Sequence, residues 1–102
     1  MPAFVPVLAL QDLPQEGFKP VEVNGRAILV GRVRGEVFAC LDRCPHAGAP
    51  LRIGKLRGME LTCAWHGWTF DVMTGKFIPE PAFCLTQFPV KIEGSSVLVA
   101  VS

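Results

Sequence analysis

Two short stretches of this 102-residue chain decide its fold: residues 44–51 read CPHAGAPL and residues 63–71 read CAWHGWTFD. Each stretch starts with a cysteine, has a histidine two or three positions later, and reaches a glycine soon afterwards. Together they read C-x-H-x16-C-x2-H, with Cys44 and His46 in the first half and Cys63 and His66 in the second. Both histidines of the chain fall in this pattern. We therefore predict that these four side chains bind a metal centre.

The donor set favours a two-iron cluster. Two soft thiolates suit one iron and two imidazoles suit the other. A structural zinc ion is the alternative, because two cysteines and two histidines are also a common zinc set. The single residue between Cys44 and His46 argues against zinc, since zinc ligands are usually further apart. The other two cysteines, Cys40 and Cys84, lie in apolar runs and are predicted to be small buried hydrophobic residues.

Composition and charge exclude several classes of partner. Ten Lys and Arg against nine Asp and Glu leave a net charge of +1, which gives no long-range attraction to nucleic acid or to a membrane surface. The apolar residues 1–10 contain two prolines and follow no basic residue, so we expect no signal peptide. No stretch has the length of a membrane helix. We expect a cytoplasmic protein, in which reduced thiols favour a metal site over disulfides.

The remaining sequence predicts antiparallel β-structure. Short apolar or alternating runs are separated by the turn signals Asn24-Gly25, Arg34-Gly35 and Gly94-Ser95. These signals predict strands over residues 18–23, 27–33, 37–41, 90–92 and 97–101, and one short helical turn near residues 12–15. We predict a single all-β domain, residues 1–102, built as a small antiparallel sandwich. Residues 43–84 are expected to form an insertion that carries the chemistry.

The two ligand stretches resemble the signature of Rieske proteins, in particular the ferredoxins of bacterial aromatic-ring oxygenases. The resemblance extends to DVMTG at 71–75, PEP at 79–81 and FPVKIEG at 88–94, and so covers essentially the whole chain. It implies the Rieske fold, a β-sandwich with a cluster-binding subdomain of two ligand loops. It also implies one [2Fe–2S] cluster on Cys44, His46, Cys63 and His66, with residues 79–81 as a third loop over the cluster.

The same resemblance implies a one-electron carrier rather than an enzyme, passing electrons from a flavin reductase to an oxygenase. A small Rieske subunit of a larger enzyme, such as an assimilatory nitrite reductase, remains the alternative. The chain cannot itself be an oxygenase with a mononuclear iron, because no histidine is left after the cluster. The high-potential Rieske branch has a disulfide between its loops. Ala49 and Trp65 occupy those positions here, so we expect a low potential.

Two further hypotheses concern the surroundings of the loops. Four basic residues are concentrated on or just beyond the first loop, and we expect them to meet an acidic partner, with scattered solvated charge as the alternative. They are Arg43, Arg52, Lys55 and Arg57. Trp68 alternates with Phe70 and Val72 along a predicted strand, which favours packing in the core over a direct role at the cluster. Gly48 and Gly67 are expected to allow tight turns in the two loops.

Overall fold

The computed structural model describes residues 3–44, 48, 50–64, 67–78 and 84–101. Within these residues, the chain forms three antiparallel sheets, ordered β1-β9-β8, β2-β3-β4 and β5-β6-β7. The strands are β1 (Phe4–Ala9), β2 (Gly17–Val23), β3 (Arg26–Val33), β4 (Glu36–Leu41), β5 (Lys55–Arg57), β6 (Glu60–Thr62), β7 (Thr69–Asp71), β8 (Val90–Glu93) and β9 (Ser96–Ala100). This architecture confirms the predicted all-β fold class.

The predicted hairpins form at the predicted turns. Asn24 and Gly25 have φ values of 52° and 78° between β2 and β3, and Arg34 and Gly35 have 52° and 80° between β3 and β4. Two successive positive φ values are what a type I′ hairpin turn requires. Each predicted strand agrees with an observed one to within one residue at either end. The short helical turn covers Leu10–Asp12 rather than residues 12–15.

Helical structure in the described part of the chain is limited to two 3₁₀ turns, Leu10–Asp12 and Leu51–Ile53. Neither is long and apolar enough to cross a membrane.

Strand β3 lies in a sheet that is covered on both faces. Successive side chains of a strand point to opposite faces. Ile28 and Val30 pack in one core with Val97 and Val99 of β9. Leu29, between them, belongs to a second core that packs toward the short strands β5, β6 and β7. Burial on both faces explains why β3 reads as a continuous apolar run instead of an alternating one.

Strand β1 was not predicted from the sequence. It pairs antiparallel with β9, from Phe4 opposite Ala100 to Ala9 opposite Ser96, and forms one edge of its sheet. The register shifts between Pro6 and Leu8. Proline lacks an amide N–H and is confined to edge strands and bulges, so Pro6 is tolerated at this position.

Candidate metal centre

The structure brings the two predicted cysteine ligands into one buried cluster. Cys44 lies three residues beyond β4 and Cys63 follows β6 directly, and their exposed fractions are 0% and 1%. Both belong to the core that also contains Leu51, Leu61 and Phe70. His46 and His66, the two predicted imidazole ligands, lie outside the described residues, as do residues 79–81 of the predicted third loop.

The two cysteines begin backbone turns of the same form. The Gly48 amide donates to the Cys44 carbonyl oxygen at 2.8 Å, and the Gly67 amide donates to the Cys63 carbonyl oxygen at 3.0 Å. Both glycines have a φ of 71°, a value that an L-residue adopts only with strain. The expectation that these glycines allow tight turns is confirmed. The chain therefore presents one thiol from each of two matched turns.

The second turn is closed at its base by a hairpin. Beyond the paired residues Thr62 and Thr69 of β6 and β7, the Cys63 amide donates to the Trp68 carbonyl oxygen at 2.7 Å. The Trp68 ring stacks on Phe77, with centroids 4.1 Å apart and planes 6° from parallel. These contacts confirm the predicted packing role of Trp68 and hold the base of this loop against the core.

The remaining two cysteines differ in environment. Cys40 is 1% exposed, and burial, followed by the nearby charge of Asp42, raises the pKa of its thiol to about 12. A thiol with so high a pKa stays protonated and is a poor metal ligand, so Cys40 has the predicted structural role. Cys84 is exposed, and the prediction that it is buried is wrong. Its neighbour Leu85 takes the core position, and adjacent extended residues point in opposite directions.

The four basic residues near the first loop do not form one uniform patch. Arg43 lies along the loop, with its Nε 3.2 Å from where a Cβ on Gly48 would stand. Arg52 forms an ion pair with Asp42, whose side chain is fully buried. Lys55 pairs in register with Thr62, the residue before Cys63, whereas Arg57 is opposite Glu60 at the other end of the strand pair. Arg43 and Lys55 are therefore the exposed cations next to the predicted ligands that have no ion-pair partner among the described residues.

The described residues fit an iron–sulfur centre. The two cysteines belong to one apolar core and are shielded from solvent, and thiolates are the usual protein ligands of such clusters. Because both histidines lie outside the described residues, the described ranges contain no complete group of three or more His, Cys, Asp or Glu side chains placed to hold a metal ion. The two matched turns are where the described residues fit the predicted site, whereas its histidine ligands remain a prediction.

Comparison with known protein families matches residues 3–89 to the Rieske [2Fe–2S] domain. The chain belongs to the Rieske family. The ferredoxin component of the naphthalene 1,2-dioxygenase/salicylate 5-hydroxylase systems of a Ralstonia species is 35% identical to this Rieske chain over 97 residues, covering 94% of the chain and 93% of the relative.

Two solved structures extend this likeness. The ferredoxin of carbazole 1,9a-dioxygenase from Nocardioides aromaticivorans IC177 superposes with a TM-score of 0.87 and 29% identity, covering 98% of this chain and 99% of the other. A chain in a complex of reduced oxygenase and oxidised ferredoxin of carbazole 1,9a-dioxygenase superposes with a TM-score of 0.86 and 31% identity. The match covers 95% of this chain and 92% of the other. The Rieske chain carries one [2Fe–2S] cluster and transfers electrons rather than catalysing a reaction, as predicted.

Proposed function

We propose that this Rieske protein is the ferredoxin of a multicomponent oxygenase, taking electrons from a flavin reductase and delivering them to the oxygenase. Relatives named as ferredoxin components span nearly its whole length. A similar solved structure contains such a ferredoxin together with its oxygenase. The proposed location is the cytoplasm, where cysteine ligands are kept from forming disulfides.

The proposed ligands are Cys44 and Cys63 for one iron and His46 and His66 for the other. The observation that supports this assignment is the pair of matched turns, each opened by a buried cysteine and closed by a glycine amide. When bound, the cluster supplies a one-electron redox couple. The chain's own residues exclude water from the two thiols, hold the two turns in place and keep the Cys40 thiol protonated.

The whole chain is proposed to act as one domain, with a cluster-binding subdomain over about residues 43–84. The sheet β5-β6-β7, residues 55–71, lies inside that segment. Its core is shared with one face of β2-β3-β4, through residues such as Leu29 and Phe38. The shared core supports a cluster site that is anchored to the sandwich rather than attached by a flexible linker.

We propose that the partner surface around the cluster is acidic where it faces Arg43 and Lys55. Both side chains are exposed, and neither has an ion-pair partner among the described residues. Charges placed in this way mainly raise the rate of association and are screened by salt. Arg52 is not part of this proposed contact, because its charge is already neutralised by Asp42.

The proposal is tested by metal and sulfide analysis of the purified protein, followed by electron paramagnetic resonance (EPR) after reduction. Iron and acid-labile sulfide in equal amounts, with a reduced-state signal typical of histidine-ligated clusters, are the expected result. Bound zinc without sulfide would overturn it in favour of a structural zinc module. Genes for ring-oxygenase subunits beside this one support the oxygenase system, whereas a sirohaem reductase gene would identify the nitrite reductase alternative.

A further inference from the structure

The two ligand loops are closed at their bases in different ways. The loop after Cys63 is the connection of a hairpin, and the ladder between β6 and β7 holds its two ends together. The loop after Cys44 instead joins β4 to the 3₁₀ turn Leu51–Ile53. Strand β4 pairs with β3, and within the described ranges this 3₁₀ turn belongs to no sheet. The ends of the first loop must therefore be held by contacts other than a β-ladder.

Asp42 makes those contacts. Its Oδ1 accepts a hydrogen bond from the Arg52 backbone amide at 2.8 Å, and its Oδ2 accepts one from the Arg52 Nε. The Asp42 amide donates to the Ala27 carbonyl oxygen at 2.9 Å, which fixes the residue to strand β3. The chain thus leaves the sandwich at Asp42, passes through Cys44, and returns to the same carboxylate at Arg52.

The carboxylate of this pair is buried, whereas the side chain of Arg52 is 47% exposed. The Asp42 side chain has an exposed fraction of 0%, so water cannot easily replace Arg52 as its partner. Charge-assisted hydrogen bonds are roughly twice as strong as neutral ones. The other described ion pair, Lys91 with Glu93 on β8, is 3.2 Å long and its side chains are 46% and 69% exposed. Exposed pairs of that kind contribute little to stability.

We propose that the Asp42–Arg52 pair is a positioning clamp for the first ligand loop. It closes the loop between residues 43 and 51 and thereby fixes where the Cys44 thiolate stands relative to the other ligands. This inference rests on the proposed function, since it takes Cys44 to be a cluster ligand. In this scheme Asp42 and Arg52 are positioning residues, and they act on the ligand geometry through the loop.

The test compares variants that remove different parts of the clamp in the cluster-loaded protein. Asp42→Ala removes both hydrogen bonds, Arg52→Gln removes the ion pair but keeps the backbone bond, and Arg52→Lys keeps the charge. Lys91→Gln, which breaks the exposed pair on β8, is the matched control. The measurements are the rate of cluster loss in the presence of an iron chelator, the width of the EPR lines of the reduced protein, and the free energy of unfolding.

Cluster loss is expected to be about tenfold faster in Asp42→Ala, since the loss of hydrogen bonds to a charged group corresponds to at least one decade in a rate. Arg52→Gln should lie between Asp42→Ala and the native protein, and Arg52→Lys should restore most of the native behaviour. The EPR lines should broaden in the first two variants because the ligand geometry becomes less uniform. Arg52→Gln alters a half-exposed side chain, so it keeps the test available if Asp42→Ala does not fold.

Two outcomes would overturn the proposal of a clamp and leave the ligand assignment intact. One is native cluster loss and native line widths in Asp42→Ala and Arg52→Gln. The other is faster cluster loss together with an equivalent fall in the free energy of unfolding, while the EPR line widths stay unchanged. That result would indicate only a general stabilising role for the pair. A Cys44→Ser variant separates these failures from failure of the ligand assignment. If Cys44→Ser kept a normal cluster, the assignment would be wrong and the clamp would lose its purpose with it.

Discussion

At the scale of single residues, the ligand assignment makes the first prediction. Replacing Cys44, His46, Cys63 or His66 with alanine should abolish the visible absorbance of the cluster, because each ligand contributes a bond that no neighbour replaces. Metal binding is coupled to folding, so the segment around β5, β6 and β7 should also loosen. Absorbance spectra and hydrogen exchange of the purified variants measure both effects.

The matched control for these variants is Cys40→Ala. Cys40 is buried like Cys44 and Cys63, but it lies within strand β4 and its thiol stays protonated. Its replacement should leave the spectrum intact. Bleaching in Cys40→Ala together with a normal spectrum in Cys44→Ala would show that the wrong cysteine has been assigned.

The raised pKa of Cys40 predicts how stability depends on alkaline pH. Its thiol titrates near 9.0 when unfolded and at about 12 in the folded protein. Its contribution to stability is therefore complete below pH 9 and is lost as the pH rises toward 12. The free energy of unfolding should fall by up to about 1.4 kcal/mol per pH unit in that window from this group. Denaturant titrations at several pH values, compared with Cys40→Ala, isolate the slope, and an equal slope in both proteins would contradict the prediction.

At the scale of elements, Gly54 is the point where the first ligand loop meets the small sheet. A Cβ at this position would lie 2.2 Å from the Thr62 carbonyl oxygen, and Thr62 directly precedes Cys63. Gly54→Ala should force β5 and β6 apart and destabilise the protein by about 1–3 kcal/mol, as overpacking commonly does. It should also shorten the lifetime of the cluster. Thermal unfolding and the decay of visible absorbance measure the two effects.

Gly94→Ala is the control for Gly54→Ala. Gly94 has a φ of 62° in the turn between β8 and β9, with nothing within 4 Å of an added Cβ. Its replacement should cost only backbone strain, about 1–2 kcal/mol, and should leave the cluster lifetime unchanged. Equal effects of both variants on the cluster would mean that Gly54 has no special relation to the ligand loops.

The elements that were predicted from the sequence are those with local signals. Asn24-Gly25 and Arg34-Gly35 specify hairpin turns, so β2, β3 and β4 could be located. Strand β7 is indicated by the alternation of Trp68, Phe70 and Val72, whereas β5 and β6 have three residues each, which is too short for such a pattern to be recognised. The pairing of Asp42 with Arg52 has no signal of its own, because a ten-residue separation across a loop follows no helix or strand period.

At the scale of the whole molecule, we predict a reduction potential near the low end of the Rieske range of about −150 to +300 mV. Ala49 and Trp65 replace the cysteines that bridge the loops in the high-potential branch, and Gly67 follows His66 in place of a serine that donates to sulfur there. The reduced cluster therefore gains less stabilisation. Protein-film voltammetry measures the midpoint, and a value well above zero would place the protein in the high-potential branch.

The pairing of β1 with β9 has a consequence for joining this unit to other proteins. Phe4 is opposite Ala100, so both ends of the described chain emerge side by side from one sheet. That sheet packs through Val97 and Val99 on one face of β2-β3-β4, whereas Cys44 and Cys63 belong to the core on the other face. A fusion partner attached at either end is therefore expected to leave the proposed cluster site accessible to its partners. The same layout makes the unit suited to insertion as a cassette within a longer polypeptide.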